Sequence, residues 1–523
     1  MLYKLTSFYK SQKWLFPIIS IILLLLTLKV SFSLRSINYN CIPDTFVILD
    51  ERTNVWHGLS LRRYGVPSAW SGLEIYKKNN KGGSIEGFNI NVNAQKPNLA
   101  TFNKYPKPSA VLYGVDLGPG KGMTTIQFVQ PYFDHPPLGG LILSVFTSSN
   151  LKTFVDLTPE EFRKSSLFLG LVTQILIFIL GWQIFKNPLI GLGASVIYGT
   201  APTFVLLSRY ALLENVMVPF MLLALSLLIG LKNLKDKYSD IEGRNKRKIM
   251  VVLITAGIIS GFAALTKITG WSMLVLGTLL LWYWKINRKL ILWFLIPGFV
   301  VGISYFIWGL YLSPATFIDM FRYQGIDRGF IGSINFLITI TRIGILNFPL
   351  DGWWLGGFLT LILLPFRKEF FSLFAAAFVM LITALTLGGA NYPWYFIPMV
   401  PFMCLAIAYF IGTIFTQPAF LNVTTFFLIF FSSSFYWGYG VFEAALKSNN
   451  YQQPFVLYRM LLLLFLGFGL FWINRVAGKK IYAAWIVFML AICLVMFRLN
   501  EKSLYFILLN WGHLPPIFTP GTF

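Results

Sequence analysis

Phe46-Val-Ile-Leu-Asp50-Glu51-Arg52 places two adjacent carboxylates just past the first apolar segment of the chain, at the opening of a long polar loop. Upstream, Lys4, Lys10 and Lys13 precede an apolar run from Trp14 to Leu28. That pattern has the outline of a signal peptide. The next residues, Lys29-Val-Ser-Phe-Ser-Leu-Arg35, contain no small-x-small cleavage site, so the run reads as an uncleaved first span with a cytoplasmic N-terminus. The two acids then fall on the outer side. Taken alone, an Asp-Glu pair is most simply two solvated loop acids; at a bilayer surface, in a chain with few acids, it is a candidate catalytic base.

The rest of the chain is mostly membrane. Hydrophobic residues make up 56% of the 523 and charged ones 12%, and the mean hydropathy is +0.67, well outside the soluble range. Aromatics at 17%, with 16 Trp, suit two interfacial belts. The net charge of +23 lies in short loops between apolar runs, where bases set orientation and meet anionic lipid heads. No nucleic-acid motif accompanies it. Cys41, Cys404 and Cys493 are too scattered for a disulfide framework or a zinc site, and His57, His135 and His513 are too few for a His-rich metal centre. No cofactor is implied, and a divalent metal beside Asp50 is left open.

The expected organisation is an N-terminal transmembrane helix over 1–33, an extracytoplasmic loop with the acidic motif over 34–164, and a transmembrane core over 165–311. Next come an outer loop with an interfacial helix over 312–349, a C-terminal transmembrane region over 350–498 and an outer tail over 499–523. In the first loop, Val55, Trp56, Leu59 and Tyr64 predict a short surface helix. Alternation at 87–93 and 124–130 predicts strands, and a second surface helix is expected from Pro136 to Phe146. Beyond it, spans are predicted at 165–185, 189–207, 211–231, 249–266, 269–284, 290–311, 350–366, 370–388, 395–414, 419–439, 454–474 and 480–498, about thirteen with the first. Basic loops at 232–248, 285–289, 367–368 and 475–480 all become cytoplasmic if 334–349 does not cross.

In this topology several polar groups share the outer side. Asp134-His135-Pro136-Pro137-Leu138 sets two ionisable groups at a helix mouth, which is also how an ordinary helix starts. Arg209 and Glu214 interrupt two apolar spans, as substrate groups or as a structural pair closing a hairpin. Lys267, in Thr266-Lys267-Ile-Thr-Gly270, either meets a lipid phosphate or snorkels. Tyr395, in Trp394-Tyr395-Phe-Ile-Pro398, is a belt residue or a sugar-stacking surface.

The order of a first span, Asp-Glu in the outer loop, His-Pro-Pro-Leu, Arg-x-x-x-x-Glu, Thr-Lys-x-x-Gly and a late Tyr-x-x-Pro resembles the lipid-linked GT-C glycosyltransferases. Within them it is similar to the protein O-mannosyltransferase and aminoarabinose transferase group. The resemblance covers the first 270 residues well and the rest mainly by topology. It implies an all-α polytopic membrane protein with a large first extracytoplasmic loop containing interfacial helices and a small β element. It also implies a glycosyltransferase of the plasma membrane, its site extracytoplasmic, acting on a dolichyl- or undecaprenyl-phosphate sugar and a protein, lipid or glycan acceptor. Asp50 would be the catalytic base with Glu51 beside it; Asp134, His135, Arg209, Glu214, Lys267 and Tyr395 would line the sugar and phosphate pocket. The stretch between Glu51 and Pro136 is longer than usual for the group, and Trp394 stands where a basic residue is more common. The alternatives are a transporter or flippase of lipid-linked sugars, which should show midplane charges in paired repeats, and an oligosaccharide ligase or polymerase.

Overall fold

The structure is a computed structural model that describes residues 15–41, 48–73, 76, 109–116, 123–148, 150–151, 154–237, 246–324, 352–364, 370–387, 393–416, 419–435, 466–469, 471–472 and 482–510. The expected strand at 87–93, the segment 334–349, most of the span at 454–474 and the end of the tail lie outside these residues.

Helix α1, Leu15–Ser36, outlasts its apolar run and carries Arg35 into the protein. Helix α2, Ile48–Tyr64, has Asp50 and Glu51 in its first turn and Arg62 and Arg63 in its last, the charge order that complements a helix dipole. It is not the surface helix expected. Val55, Trp56 and Leu59 are fully buried against Phe128, Phe154, Phe162, Leu213 and Val216, whereas Tyr64 is exposed. Strands β1 (Ala69–Trp70), β2 (Ser109–Asp116) and β3 (Met123–Gln130) form an antiparallel sheet in the order β1-β3-β2. Ala69 opposes Val129 and Trp70 opposes Phe128, while β2 pairs with β3 from Ser109↔Gln130 to Asp116↔Met123.

Helix α3, Pro137–Leu143, starts with proline at its first turn, where the missing N–H costs nothing. Its Gly139, Gly140 and Leu143 are buried and its other residues half-buried, because glycines let it lie directly on its neighbours. A Cβ at Gly58 would fall 1.9 Å from the Gly140 carbonyl carbon, and one at Gly139 would meet Leu213 and Thr266.

The membrane core comprises α4 (Pro159–Phe185), α5 (Pro188–Thr200), α6 (Pro202–Arg209), α7 (Leu213–Lys237), α8 (Lys246–Thr266), α9 (Ser272–Tyr283) and α10 (Arg288–Leu312). A short α11 (Pro314–Arg322) precedes α12 (Gly352–Leu363), α13 (Phe371–Leu387), α14 (Val400–Thr416), α15 (Phe420–Phe435) and α16 (Tyr482–Asn510). Among the described residues, seven helices are long and apolar enough to cross a membrane, and α5 with α6 makes an eighth crossing if taken as one broken span. The expected straight span at 189–207 is thus bent by 67° at Ala201-Pro202, where proline removes a ladder donor and crowds the preceding turn. Near 269–284 a 3-10 turn at Ile268–Trp271 shortens the helix. The expected core boundary at 164/165 falls inside α4, and α16 continues through Arg498 to Asn510, into the expected tail.

Helices α7, α8 and α10 pack as one layer. A Cβ at Gly257 of α8 would sit 2.1 Å from the Phe294 carbonyl of α10, the close approach that small residues allow between spans. The contact of Gly58 with Gly140 sets how α3 sits on α2. Gly140→Ala should therefore lower stability by roughly 1–3 kcal/mol through overpacking, seen as a lower thermal midpoint of the purified protein; an unchanged midpoint would refute this tight α2–α3 contact.

Candidate functional site

Glu51 is held from three sides. The Arg163 guanidinium donates from Nε to Oε1 at 3.0 Å and from Nη2 to Oε2 at 2.8 Å, and the Ala211 N–H donates to Oε1 at 2.7 Å. Both side chains are 0% exposed. The remaining Arg163 nitrogen donates to the Tyr39 carbonyl at 3.0 Å. One carboxylate thus ties the exit of α1, the start of α2, the start of α4 and the α6–α7 linker. The linker is fixed further by Asn54, which donates to the Ala211 carbonyl, by Ser166 on the Tyr210 carbonyl, and by Asn215 on the Leu207 and Tyr210 carbonyls. Asp50, one residue earlier and about 100° around the helix, is half-buried in the same first turn.

Arg209 joins this group rather than pairing with Glu214. It is buried and donates to the Ile37 carbonyl, while its Nε and Nη1 have no partner among the described residues. Arg35 lies nearby, donating to Ser208 Oγ at 3.0 Å, to Ser31 and to the Tyr198 carbonyl, with its charge over the Tyr198 ring. Sequence reasoning misses Arg35 and Arg163 as members of the group; an arginine interrupting or adjoining an apolar run is the available signal.

Glu214, in the first turn of α7, makes a buried ion pair with Lys267, which sits between α8 and the 3-10 turn. The Lys267 ammonium also lies 4.3 Å from the Tyr395 ring centroid. Three expected site residues therefore converge, and Lys267 does not snorkel. Gly270 makes the turn possible, since a Cβ there would fall 2.0 Å from the Ala263 carbonyl oxygen.

Asp134 and His135 stand at the mouth of α3, whose Gly139 touches Thr266, the neighbour of Lys267. Both are half-buried. Asp134 accepts from Ser71 Oγ at 2.7 Å and from the Tyr76 hydroxyl at 2.8 Å, and that hydroxyl in turn accepts the Phe133 N–H. Burial and the adjacent Asp134 carboxylate push the Tyr76 hydroxyl well above its ordinary pKa, so it stays a donor. Tyr132 lies between His135, centroids 6.3 Å apart, and His57, 4.9 Å away on α2. His57 is fully buried with neither ring nitrogen bonded among the described residues, and burial pushes its pKa down to about 3. Among the described residues, no three His, Cys, Asp or Glu side chains converge in a metal-holding group.

These contacts set two expected outcomes. Arg163→Ala should destabilise the fold by roughly 3–5 kcal/mol, because it leaves Glu51 charged and buried without its partner; a paired apolar replacement, Glu51→Leu with Arg163→Met, should recover much of that loss in thermal unfolding. Because the folded protein keeps His57 neutral while the unfolded chain protonates below about pH 6.5, stability is full above that pH and falls towards pH 3 by about 1.4 kcal/mol per pH unit. His57→Phe should flatten the acid limb of a stability profile, and an unaltered limb would show that other groups set it.

Residues 143–323 match the family model of dolichyl-phosphate-mannose-protein mannosyltransferase. No curated protein matches the chain in sequence. Among solved structures, ArnT from Cupriavidus metallidurans bound to undecaprenyl phosphate is similar at 15% identity and a TM-score of 0.44, covering 72% of this chain and 68% of that one. The archaeal oligosaccharyltransferase AglB from Archaeoglobus fulgidus, in complex with an inhibitory peptide and a dolichol-phosphate, is similar at 11% identity and a TM-score of 0.41, covering 94% of this chain and 56% of its own. Neither likeness is close enough to carry residue roles. The matched segment contains Arg163, Arg209, Glu214 and Lys267 and leaves out Asp50, Glu51, Asp134, His135 and Tyr395. The chain is a multi-pass membrane protein whose residues 143–323, which carry its Arg-x-x-x-x-Glu and Thr-Lys-x-x-Gly motifs, resemble the dolichyl-phosphate-mannose-protein mannosyltransferases.

Proposed function

We propose that this protein is an inverting glycosyltransferase that moves a single sugar from a polyprenyl-phosphate donor to an acceptor hydroxyl at the extracytoplasmic face of the plasma membrane. The observation that carries this reading is that the segment matching the mannosyltransferase family contains a buried Glu214–Lys267 pair packed beside the helix led by Asp134 and His135. A donor of this kind brings its own leaving group, so the chemistry asks the protein for a base, for cations near the phosphate and for a held sugar.

Asp50 is the base in this scheme. It takes the proton of the acceptor hydroxyl as that oxygen attacks the anomeric carbon; the bond from that carbon to the phosphate oxygen breaks, and polyprenyl phosphate leaves with the bonding electrons. A single displacement inverts the anomeric centre. Glu51 is unsuited to the task, because both its oxygens are engaged by Arg163 and Ala211; its part is to hold Asp50 in place. Lys267 is shared between Glu214 and the donor phosphate, and the Tyr395 face limits where its ammonium can go. Asp134 and His135 line the sugar side, with Asp134 fixed by Ser71 and Tyr76. The acceptor is a protein, lipid or glycan hydroxyl.

Membranes containing the protein should release polyprenyl phosphate from one member of a panel of labelled donors, beginning with mannose and extending to other hexoses and to pentoses. Asp50→Asn should lower that rate by about 10²–10⁴ while the protein stays folded. Undiminished transfer by a folded Asp50→Asn protein would remove Asp50 as base, and no turnover with any donor and a supplied acceptor would sink the transferase reading.

A further inference from the structure

The outer end of α10 and the whole of α11 form one body with the turn that carries Asp134 and His135. Gly309 lets the Phe317 ring lie directly on α10, since a Cβ at 309 would sit 2.2 Å from it. Phe133 meets Phe317 edge-on with centroids 5.3 Å apart, and meets Trp308 at 6.2 Å. The Tyr305 hydroxyl donates to the Phe133 carbonyl at 2.6 Å. Just beyond α11, the Gln324 amide donates to the Asp134 carbonyl at 3.0 Å. Thr316, Phe317 and Met320 are the buried face of α11.

The opposite face is apolar as well. Pro314, Ala315, Ile318 and Phe321 are exposed there, with Arg322 the charged residue among them. Ile318 is 55% and Phe321 41% exposed, and apolar surface left in water forgoes roughly 25 cal/mol per Å². This face continues the outward surface of α10 through Ile307 and Tyr311, the latter 82% exposed. The outward surface of a membrane span meets lipid. Only Ser313 separates α11 from α10, so α11 begins at the depth where the span ends.

We propose that α11 is seated in the headgroup–acyl boundary of the bilayer, with Ile318 and Phe321 inserted and Arg322 reaching the headgroups, and that this seating holds the Phe133–His135 turn in place. Phe317 and Gln324 are the positioning residues. Withdrawn from lipid, α11 would take with it one ring packed on Phe133 and the hydrogen bond to Asp134. The meaning of this for sugar transfer rests on the function proposed above; the seating itself does not.

A nitroxide attached at Ile318→Cys in a Cys41→Ser background, in nanodiscs of phosphatidylcholine and phosphatidylglycerol, reports the depth. Oxygen should relax the label more strongly than a water-soluble nickel chelate; the reverse order would place α11 in water and overturn the proposal. Hydrogen exchange of the Tyr132 to His135 amides reports the coupling. Exchange should quicken about tenfold in Ile318→Asp and in Gln324→Ala, with α7 unaffected. Unchanged exchange in a folded Gln324→Ala protein would overturn the coupling, and that variant also serves where Ile318→Asp loosens the whole fold. An inserted label with quickened exchange supports the seating even in a protein that transfers no sugar, so a failure of the transferase reading shows separately.

Discussion

The pair of Glu51 with Arg163 is the constraint on which the arrangement of α1, α2, α4 and the α6–α7 linker depends. Both groups are fully withdrawn from water, and an ion taken out of water is unfavourable by several kcal/mol unless its partner and its remaining hydrogen bonds are supplied. Here they are supplied by four separate parts of the chain, with Tyr39, Glu51, Arg163 and Ala211 all committed to one network. A network of this kind tolerates only one arrangement of its members. It therefore fixes the first turn of α2, and with it the direction of Asp50, more tightly than packing of Val55, Trp56 and Leu59 alone would.

Two neighbouring acids thereby receive different work. A helix rotates successive side chains by about 100°, so Glu51 can enter the protein while Asp50 stays half-buried. The same division appears at the other end of the proposed site. Glu214 neutralises Lys267, whereas Arg209, five residues earlier, stays with Ile37 in the group around Arg163 and Arg35. Charges along this chain are sorted by the backbone that delivers them, and sequence proximity is a poor guide to partnership.

That is also why some of the structure was legible in the sequence and some was not. Long apolar runs bounded by bases announce α4, α7, α8 and α10, because a lipid-facing helix has to be apolar along its whole length. Where the membrane region departs from straight helices, hydropathy is silent. The break at Ala201-Pro202 and the 3-10 turn at Ile268–Trp271 are buried in protein, where irregular backbone is tolerated, and their apolar residues read like those of any span. The convergence of Glu214, Lys267 and Tyr395 could be anticipated only as a shared side of the membrane. The partner of Glu51 was invisible, since Arg163 lies 112 residues away. Likewise Val55, Trp56 and Leu59 marked an apolar face correctly, but periodicity does not say whether protein or lipid covers it.

The short strand β1 matters out of proportion to its two residues. By pairing Ala69 with Val129 and Trp70 with Phe128, it holds the chain just before Ser71 beside the chain just before Tyr132, while Ser71 and Tyr76 reach back to Asp134. Loop-closure entropy grows only with the logarithm of length, so with these ends paired and with Ser71 and Tyr76 anchored, lengthening or shortening the chain further along costs little closure entropy and leaves α2 and Tyr132 where they are.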